Sequence, residues 1–312
     1  MGERVFVNQK VIKIKLPPFI GGFCGLKSIK SAFSNVISSG HMTKGELGHV
    51  IEHVTGRSGT EIIIGFDVEK SHAKKIIKMG SRVASGAPLA YVLGYTYFYG
   101  RKFMVNKNVL IPRHDTETLV KAVLDTLRAD SNLNANHNLS ILDLCAGSGA
   151  VGVTLSEELG AQSAYTVLAD ISKKTINIAR KNVENIVAKL KEDWELRISI
   201  QQGDMFGAVN KSNKFNVIVS NPPYIKPSDI GIGDVGVLRE PWLALDGGED
   251  GLRFYRIIAE QGRNYLSPHG FCAVEIGYDQ GESVPEIFRV NGWNNVSVIK
   301  DLGGRDRVVL AR

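Results

Sequence analysis

Asn221-Pro222-Pro223-Tyr224 closes the apolar run "FNVIVS" (215–220). Pro222 restricts Asn221 to extended backbone. Each proline fixes its own φ and removes an N–H donor. What remains is a stiff segment that offers carbonyl oxygens, the side-chain oxygen of Asn221 and the aromatic face of Tyr224. It is a poor cradle for phosphate and a good clamp for an NH2 group. The Asn221 oxygen and the Pro222 carbonyl can each accept one amide hydrogen, and Tyr224 can cover the planar group. Without a ligand nearby, the same residues are only a rigid end to a strand.

A second group of residues supplies the neighbouring ligand. "ILDLCAGSGAVGVTL" (141–155) reads as a strand, a Gly-rich turn and a helix start. Gly147 and Gly149 lack Cβ, so a ligand can approach the backbone, and the helix N-terminus favours a carboxylate or phosphate. Asp170 ends the next strand, where its carboxylate can take two ribose hydroxyls. Asp204 in "QQGDMF" ends the third, where it can accept from the exocyclic amine of adenine, with Met205 packing on the ring. The site therefore reads as nucleoside-binding. The loop also matches GxGxxG through Gly147, Gly149 and Gly152, so a nicotinamide cofactor stays open at this point.

These residues need an α/β frame. "SILDLC", "YTVLAD", "RISIQQ", "FNVIVS" and "FCAVEIG" are short apolar runs, and helical patterns separate most of them, notably at 172–190, 252–266 and 279–290. Strands alternating with helices imply a doubly wound, parallel sheet. "VSVIK" and "RVVLAR" are joined only by "DLGGRD", too short for a crossover helix, so the seventh and last strand is expected to be antiparallel. Ahead of this frame, Leu26, Ile29, Phe33, Val36 and Ile37 recur at helical spacing, as do Leu47, Val50, Ile51 and Val54, and Ala73, Ile76, Ile77, Val83 and Ala84. "PLAYVLGYTYFYGRKFMV" (88–105) carries a Tyr-Gly turn and reads as a β-hairpin. A helix is expected around Thr116 to Leu127, and the Asn-rich stretch 129–138 reads as a loop. The expected division is a basic leader over 1–20, a helical domain over 21–87, a hairpin linker over 88–112 and a catalytic domain over 113–312.

Composition excludes several classes. The apolar fraction of 43% suits a packed core. No apolar run reaches the roughly 18 residues of a membrane span. Three distant cysteines, Cys24, Cys145 and Cys272, form no CxxC pair and suit a reducing compartment. The net charge of +6 sits in residues 1–45, where Arg4, Lys10, Lys13, Lys15, Lys27, Lys30 and Lys44 face only Glu3; residues 46–312 balance to zero. A solvated N-terminal arm, a contact with RNA or an acidic partner, or an organellar transit peptide are its three readings.

Asn-Pro-Pro-Tyr after the fourth strand, with this Gly loop and order of acids, resembles the S-adenosylmethionine-dependent methyltransferases that act on planar nitrogen. The resemblance narrows over "PLAYVLGYTYFYGRKFMVNKNVLIPRHDTETLV", "DLCAGSGAVGV", "SNPPYI", "REPWLALDGGEDGLRFYR", "EIGYDQG" and "DLGGRDRVV". In that order they are similar to the peptide chain release factor glutamine methyltransferases, from about residue 26 to the C-terminus. The resemblance implies a Rossmann-like methyltransferase fold, S-adenosylmethionine as cofactor, and methylation of the glutamine side-chain nitrogen in a release factor Gly-Gly-Gln loop. It implies cofactor contacts at Cys145, Ala146, Gly147, Ser148, Gly149, Asp170, Met205 and Asn221, and glutamine contacts at Asn221, Pro222, Pro223 and Tyr224. The sequence departs from the family at Cys145, where glycine is common, at "RHDTE" in place of Arg-Pro-Glu-Thr-Glu, and at Met205, an aromatic in some relatives.

Other readings accompany this one. The same tetrapeptide chemistry could serve ribosomal-protein glutamine or adenine in nucleic acid, but a nucleic-acid enzyme should carry a basic catalytic domain. An NAD-dependent oxidoreductase leaves the tetrapeptide unexplained, and a non-catalytic binding module tethered to RNA is the remaining class. "HVIEH" presents His49, Glu52 and His53 at H-x-x-E-H spacing, but no third ligand is evident, so no metal is expected. Glu240 either lines the substrate pocket or shapes its loop, and Arg113 and Glu117 are expected to join the hairpin to the core as an ion pair. The enzyme is expected to be a cytoplasmic monomer whose partner is a release factor, with no stable nucleic-acid or membrane contact.

Overall fold

The computed structural model describes residues 12–134, 138–160, 163–188, 197–232 and 237–312. The chain forms two compact units, residues 1–94 and residues 95–312. The expected basic leader falls mostly on residues 1–11, outside the described residues. No described helix is long and apolar enough to cross a membrane.

The first unit contains β1 (Phe23–Gly25), α1 (Leu26–Ala32), α2 (Ser34–Ser38), α3 (Lys44–Thr55), α4 (Gly59–Ile64), β2 (Asp67–Glu69), α5 (Lys70–Ala84) and α6 (Leu89–Leu93). Its apolar periodicity turns inward: Leu26, Ile29, Phe33, Leu47, Val50, Ile51, Ala73 and Ile76 are all buried. A capping box starts α3, with Thr43 N–H donating to Glu46 Oε2 at 2.7 Å and Glu46 N–H donating to Thr43 Oγ1 at 3.1 Å. β1 and β2 pair antiparallel; strands of three residues carry too few positions to show a period. Residues 89–93, read from sequence as part of a hairpin, are helical. Pro88 precedes the helix and Gly94, at φ 85°, ends it in the left-handed region.

The second unit opens with the hairpin proper, β3 (Tyr95–Phe98) and β4 (Arg101–Met104). Tyr99 and Gly100 turn at φ 49° and 74°, the two positive values of a type I′ hairpin. α7 (Glu117–Ala129) follows, and then a single turn, α8 (Ser131–Asn134), inside a stretch expected to be loop. The sheet is built by β5 (Leu139–Leu144), β6 (Ser163–Asp170), β7 (Ile198–Gln202), β8 (Phe215–Ser220), β9 (Leu266–Glu275), β10 (Val296–Lys300) and β11 (Asp306–Ala311). Helices α9 (Ala150–Leu159), α10 (Lys173–Val187), α11 (Arg253–Gln261) and α12 (Ser283–Val290) lie between them.

The strand order is β10-β11-β9-β8-β5-β6-β7. β11 runs antiparallel to both its neighbours, and the pairs from β9 to β7 are parallel. Alternate residues of each central strand feed opposite cores. Ile141, Val217 and Val219 pack with α7 and α9, whereas Leu142, Leu144 and Ile218 pack with α11 and α12. Both faces are covered, which is why β8 is buried at all six positions. This is the seven-stranded α/β arrangement expected from the sequence. β5 lies between β6 and β8, so the chain reverses its direction of winding there. Ligands bind at such a point, beyond the carboxyl ends of the strands.

Candidate active site

Register brings the chemical residues together. Leu144 of β5 pairs with Ser220 of β8 and with Ala169 of β6, and Ser220 pairs with Val274 of β9. The next residue on each strand is therefore Cys145, Asn221, Asp170 and Glu275. Four polar or reactive side chains arrive side by side at one sheet edge. A cavity of about 200 Å3 opens there, lined among others by Cys145 to Ser148, Asp170, Asp204, Met205, Asn221 and Pro223.

On one wall the Gly-rich loop leaves β5 and enters α9. Gly147 sits at φ 58° and Gly149 at φ 80°, both left-handed. Asp170 Oδ2 accepts from Gly147 N–H at 3.1 Å and Oδ1 accepts from Ser172 N–H at 2.8 Å. Burial raises the Asp170 pKa against these two donors. A carboxylate has about four acceptor positions, so the ring of donors leaves room for two hydroxyls. Gly152 serves packing: a Cβ there would lie 2.4 Å from Leu168 Cδ2 and 2.9 Å from Asp143 Oδ2. Its N–H donates to Asp143 Oδ2 at 2.8 Å. Burial, aided by the charge of Asp170, pushes the Asp143 carboxyl up to about 7.

Cys145 stands at φ 58° and Met205 at φ 45°. The left-handed backbone at 145 explains why glycine suits this position, and cysteine adopts it under strain. Both sulfurs face each other at 3.7 Å, and burial followed by the Asp170 charge raises the Cys145 thiol pKa. Asp204 is exposed at the rim while Met205 is buried. Asn182 braces the loop from α10: its Nδ2 donates to Ser148 O at 2.9 Å and to Met104 O at 3.1 Å, and its Oδ1 accepts from Met104 N–H at 2.7 Å.

On the other wall, Asn221 and Pro223 line the cavity. Asn221 Nδ2 donates to Thr116 Oγ1 at 3.1 Å, so its Oδ1 is the atom left over for a ligand. Pro222 is buried and Tyr224 half-buried. The Tyr224 hydroxyl turns to Glu275 and donates to Oε1 at 3.3 Å. Burial, then the Glu275 charge, raises the Tyr224 pKa.

The loop from Asn108 to Arg113 lines the same cavity, with Pro241, Leu243 and Ala244. Its anchor is Glu240, which is buried and accepts from Ile111 N–H at 3.1 Å and from the Arg113 guanidinium. Arg113 therefore pairs with Glu240 and not with Glu117 as expected. Glu117 joins the hairpin by another route, accepting from Tyr99 N–H at 2.8 Å. His49 and Glu52 lie 3.8 Å apart on the exposed face of α3, and among the described residues no three metal-ligating side chains converge.

Two partners escaped the reading of the sequence as site residues, Thr116 and Glu275. For Glu275 a signal exists, since a single acid at the end of the apolar run "FCAVEIG" must be buried. For Thr116 none does, because its side-chain partner Asn221 lies 105 residues away in the chain.

The residues suit S-adenosylmethionine: an acidic group for the ribose, glycines at close backbone approach, and an apolar sulfur-lined wall. Comparison with known proteins agrees. The methyltransferase small domain model matches residues 124–233. The chain is 35% identical over 268 residues to a release factor glutamine methyltransferase of Bacillus cereus, covering 85% of this chain and 89% of that one. It is 38% identical over 236 residues to one of Neisseria gonorrhoeae, covering 75% of this chain and 80% of that one. A bifunctional methyltransferase of Rickettsia felis is 39% identical over 255 residues, of which the match spans 47%, about half its length. With a methyltransferase family matched, the GxGxxG spacing needs no nicotinamide to explain it. The chain belongs to the release factor glutamine methyltransferase family.

Proposed function

We propose that this protein transfers a methyl group from S-adenosylmethionine to the side-chain amide nitrogen of the glutamine in a release factor Gly-Gly-Gln loop. When bound, S-adenosylmethionine supplies a sulfonium methyl that is already electrophilic, so no covalent enzyme intermediate is required. Cys145 to Gly149, Asp170, Asp204 and Met205 are the residues that would hold it.

An amide nitrogen is a poor nucleophile because its lone pair is delocalised into the carbonyl. The protein must therefore orient it. Asn221 Oδ1 accepts one amide hydrogen, the Pro222 carbonyl a second, and Pro223 and Tyr224 stiffen the segment that carries both. Holding the reacting atoms in line supplies roughly 7–11 kcal/mol of the barrier. As nitrogen attacks, positive charge grows on its NH2, and acceptors fixed beforehand bind that charge better than the neutral amide. One relationship carries the function: Asn221 donates its own NH2 to Thr116 and so turns an acceptor towards the cavity that Asp170 and the Gly loop share.

The helical segment 21–87 is the part we assign to recognition of the protein substrate, in the cytoplasm, by a monomer. Support for a protein substrate rather than nucleic acid comes from residues 46–312, whose charge balances to zero. The test is to incubate purified release factor with labelled S-adenosylmethionine and map the modified peptide. Label on the Gly-Gly-Gln glutamine is the expected result. Label found only on a ribosomal-protein glutamine or on adenine, supplied in parallel reactions, would overturn the assignment.

A further inference from the structure

Gln280 stands between β9 and α12 and is 7% exposed. Its amide is fully engaged. Oε1 accepts from Gly277 N–H at 2.9 Å, and Nε2 donates to Tyr224 O at 3.3 Å and to Gly251 O at 3.2 Å. An N–H can only donate and a carbonyl can only accept, so no other orientation of the amide pairs all three groups. The Tyr255 hydroxyl of α11, shared with the Glu275 main-chain oxygen, reaches Oε1 at 3.2 Å. One side chain therefore ties the last residue of Asn-Pro-Pro-Tyr to the end of β9, to α11 and to the loop 247–251.

That loop closes on the same residue. A Cβ at Gly247 would lie 2.6 Å from Tyr224 Cα, and one at Gly251 2.5 Å from Tyr224 O. Glycine at both positions is what lets the two main chains approach this closely. Ile225 N–H donates to Leu245 O at 3.0 Å and Gly247 N–H to Ile225 O at 2.9 Å, a short parallel bridge beside the contact. The prolines have no N–H with which to anchor themselves. Asn221 is held on Thr116 at one end of the tetrapeptide, and Gln280 with the two glycines holds the other. "REPWLALDGGEDGLRFYR" and "EIGYDQG" thus meet at Tyr224.

Resting on the function proposed above, we propose that Gln280 is a positioning residue: acting through the Tyr224 main chain, with Gly247 and Gly251, it sets where the Asn221 and Pro222 acceptors stand relative to the cofactor. Pro222 and Pro223 fix their own φ angles, so a displacement at Tyr224 is carried to the acceptor atoms and not absorbed between them. A misplacement of about 1 Å is enough to cost about 10²-fold in rate. The residues assigned to S-adenosylmethionine follow β5, β6 and β7, and Gln280 touches none of them through the bonds above.

The test compares wild type with Gln280→Met and Gly247→Ala, reading kcat and KM on release factor, S-adenosylmethionine Kd and the melting temperature. Gln280→Met keeps the length of the side chain and deletes its hydrogen bonds. Gly247 lies outside the left-handed region, so alanine there disturbs chiefly the contact with Tyr224. Both variants should lose about 10²-fold in kcat and keep cofactor Kd. A residue needed only for stability would lower the melting temperature and leave kcat per folded molecule at the wild-type value. That result overturns the proposal, as does an equal loss in kcat and in cofactor affinity. Should the wild type methylate no release factor, the function falls, and amide hydrogen exchange in the free protein decides the positioning. The Ile225 and Gly247 N–H groups should then exchange faster in Gln280→Met than in wild type, with the Gly149 N–H unchanged. Equal rates at Ile225 and Gly247 in the two proteins would refute it.

Discussion

Cys145 Sγ lies 3.7 Å from Met205 Sδ, and both residues hold a left-handed backbone. The pair forms an apolar wall of the cavity from two positions where the main chain is under strain. A left-handed conformation costs an L-residue roughly 1–2 kcal/mol. Cys145→Gly removes that cost but adds about 1 kcal/mol of backbone entropy, so its unfolding midpoint should stay near wild type. Cys145→Val, β-branched at the same φ, should lose more than about 1 kcal/mol. Denaturant titration of the two variants measures the difference.

Asn221→Ala removes the acceptor assigned to the substrate amide. The expected loss is about 10²-fold or more in kcat, the scale of one preorganised polar group. Cofactor Kd should change far less. Steady-state kinetics and calorimetry separate the two, and near-normal turnover would remove Asn221 from its assigned role.

Asp170→Ala attacks the other ligand. It deletes the acceptor for the ribose hydroxyls and leaves the Gly147 and Ser172 N–H groups without a partner. A fully buried unpaired group costs about 1–3 kcal/mol, and these half-buried ones cost less. The variant should therefore melt lower and bind S-adenosylmethionine at least ~10-fold more weakly, a loss of about 1.4 kcal/mol. Thermal shift with S-adenosylmethionine and with NAD, run on wild type, should show stabilisation by the former alone.

Gly152→Ala tests the third glycine of the loop. Its Cβ would meet Leu168 Cδ2 at 2.4 Å. Overpacking of this kind costs about 1–3 kcal/mol. Stability should drop by that amount in denaturant melts, with cofactor binding impaired through the displaced loop.

Stability should also depend on pH. Burial raises both Asp143 and Glu275 to about 7, from ordinary values of 3.8 and 4.5. Between those values and 7 the folded protein keeps protons that the unfolded chain has lost. Stability therefore declines as pH rises through this window and levels off above it. Melting temperatures should fall from pH 5 to pH 8, and less steeply in Glu275→Gln. A rise over the same interval would contradict the buried, partly protonated carboxyls.

Much of the molecule follows from local sequence. The apolar runs at 140–145, 165–170 and 215–220 mark three of the strands, and "DLGGRD" is too short for anything but an antiparallel turn. Tyr99-Gly100 turns as its chemistry requires. The Gly-rich loop and Asn-Pro-Pro-Tyr declare themselves because their restrictions are written in their own dihedral angles. Residues 89–93 misled because Tyr, Val and Leu in a short run suit strand and helix alike, and only the flanking Pro88 and Gly94 chose between them.

Tertiary structure alone chose the partners. Arg113 has Glu117 close by in sequence and pairs with Glu240, which lies across the fold. Tyr224 meets Glu275 because β8 and β9 align in one register, and Thr116 meets Asn221 because the fold brings the turn before α7 to the end of β8. A sequence states which residues can accept or donate a hydrogen bond. Which atom each one finally turns to the ligand depends on what is buried behind it, and burial is set by pairing between strands far apart in the chain.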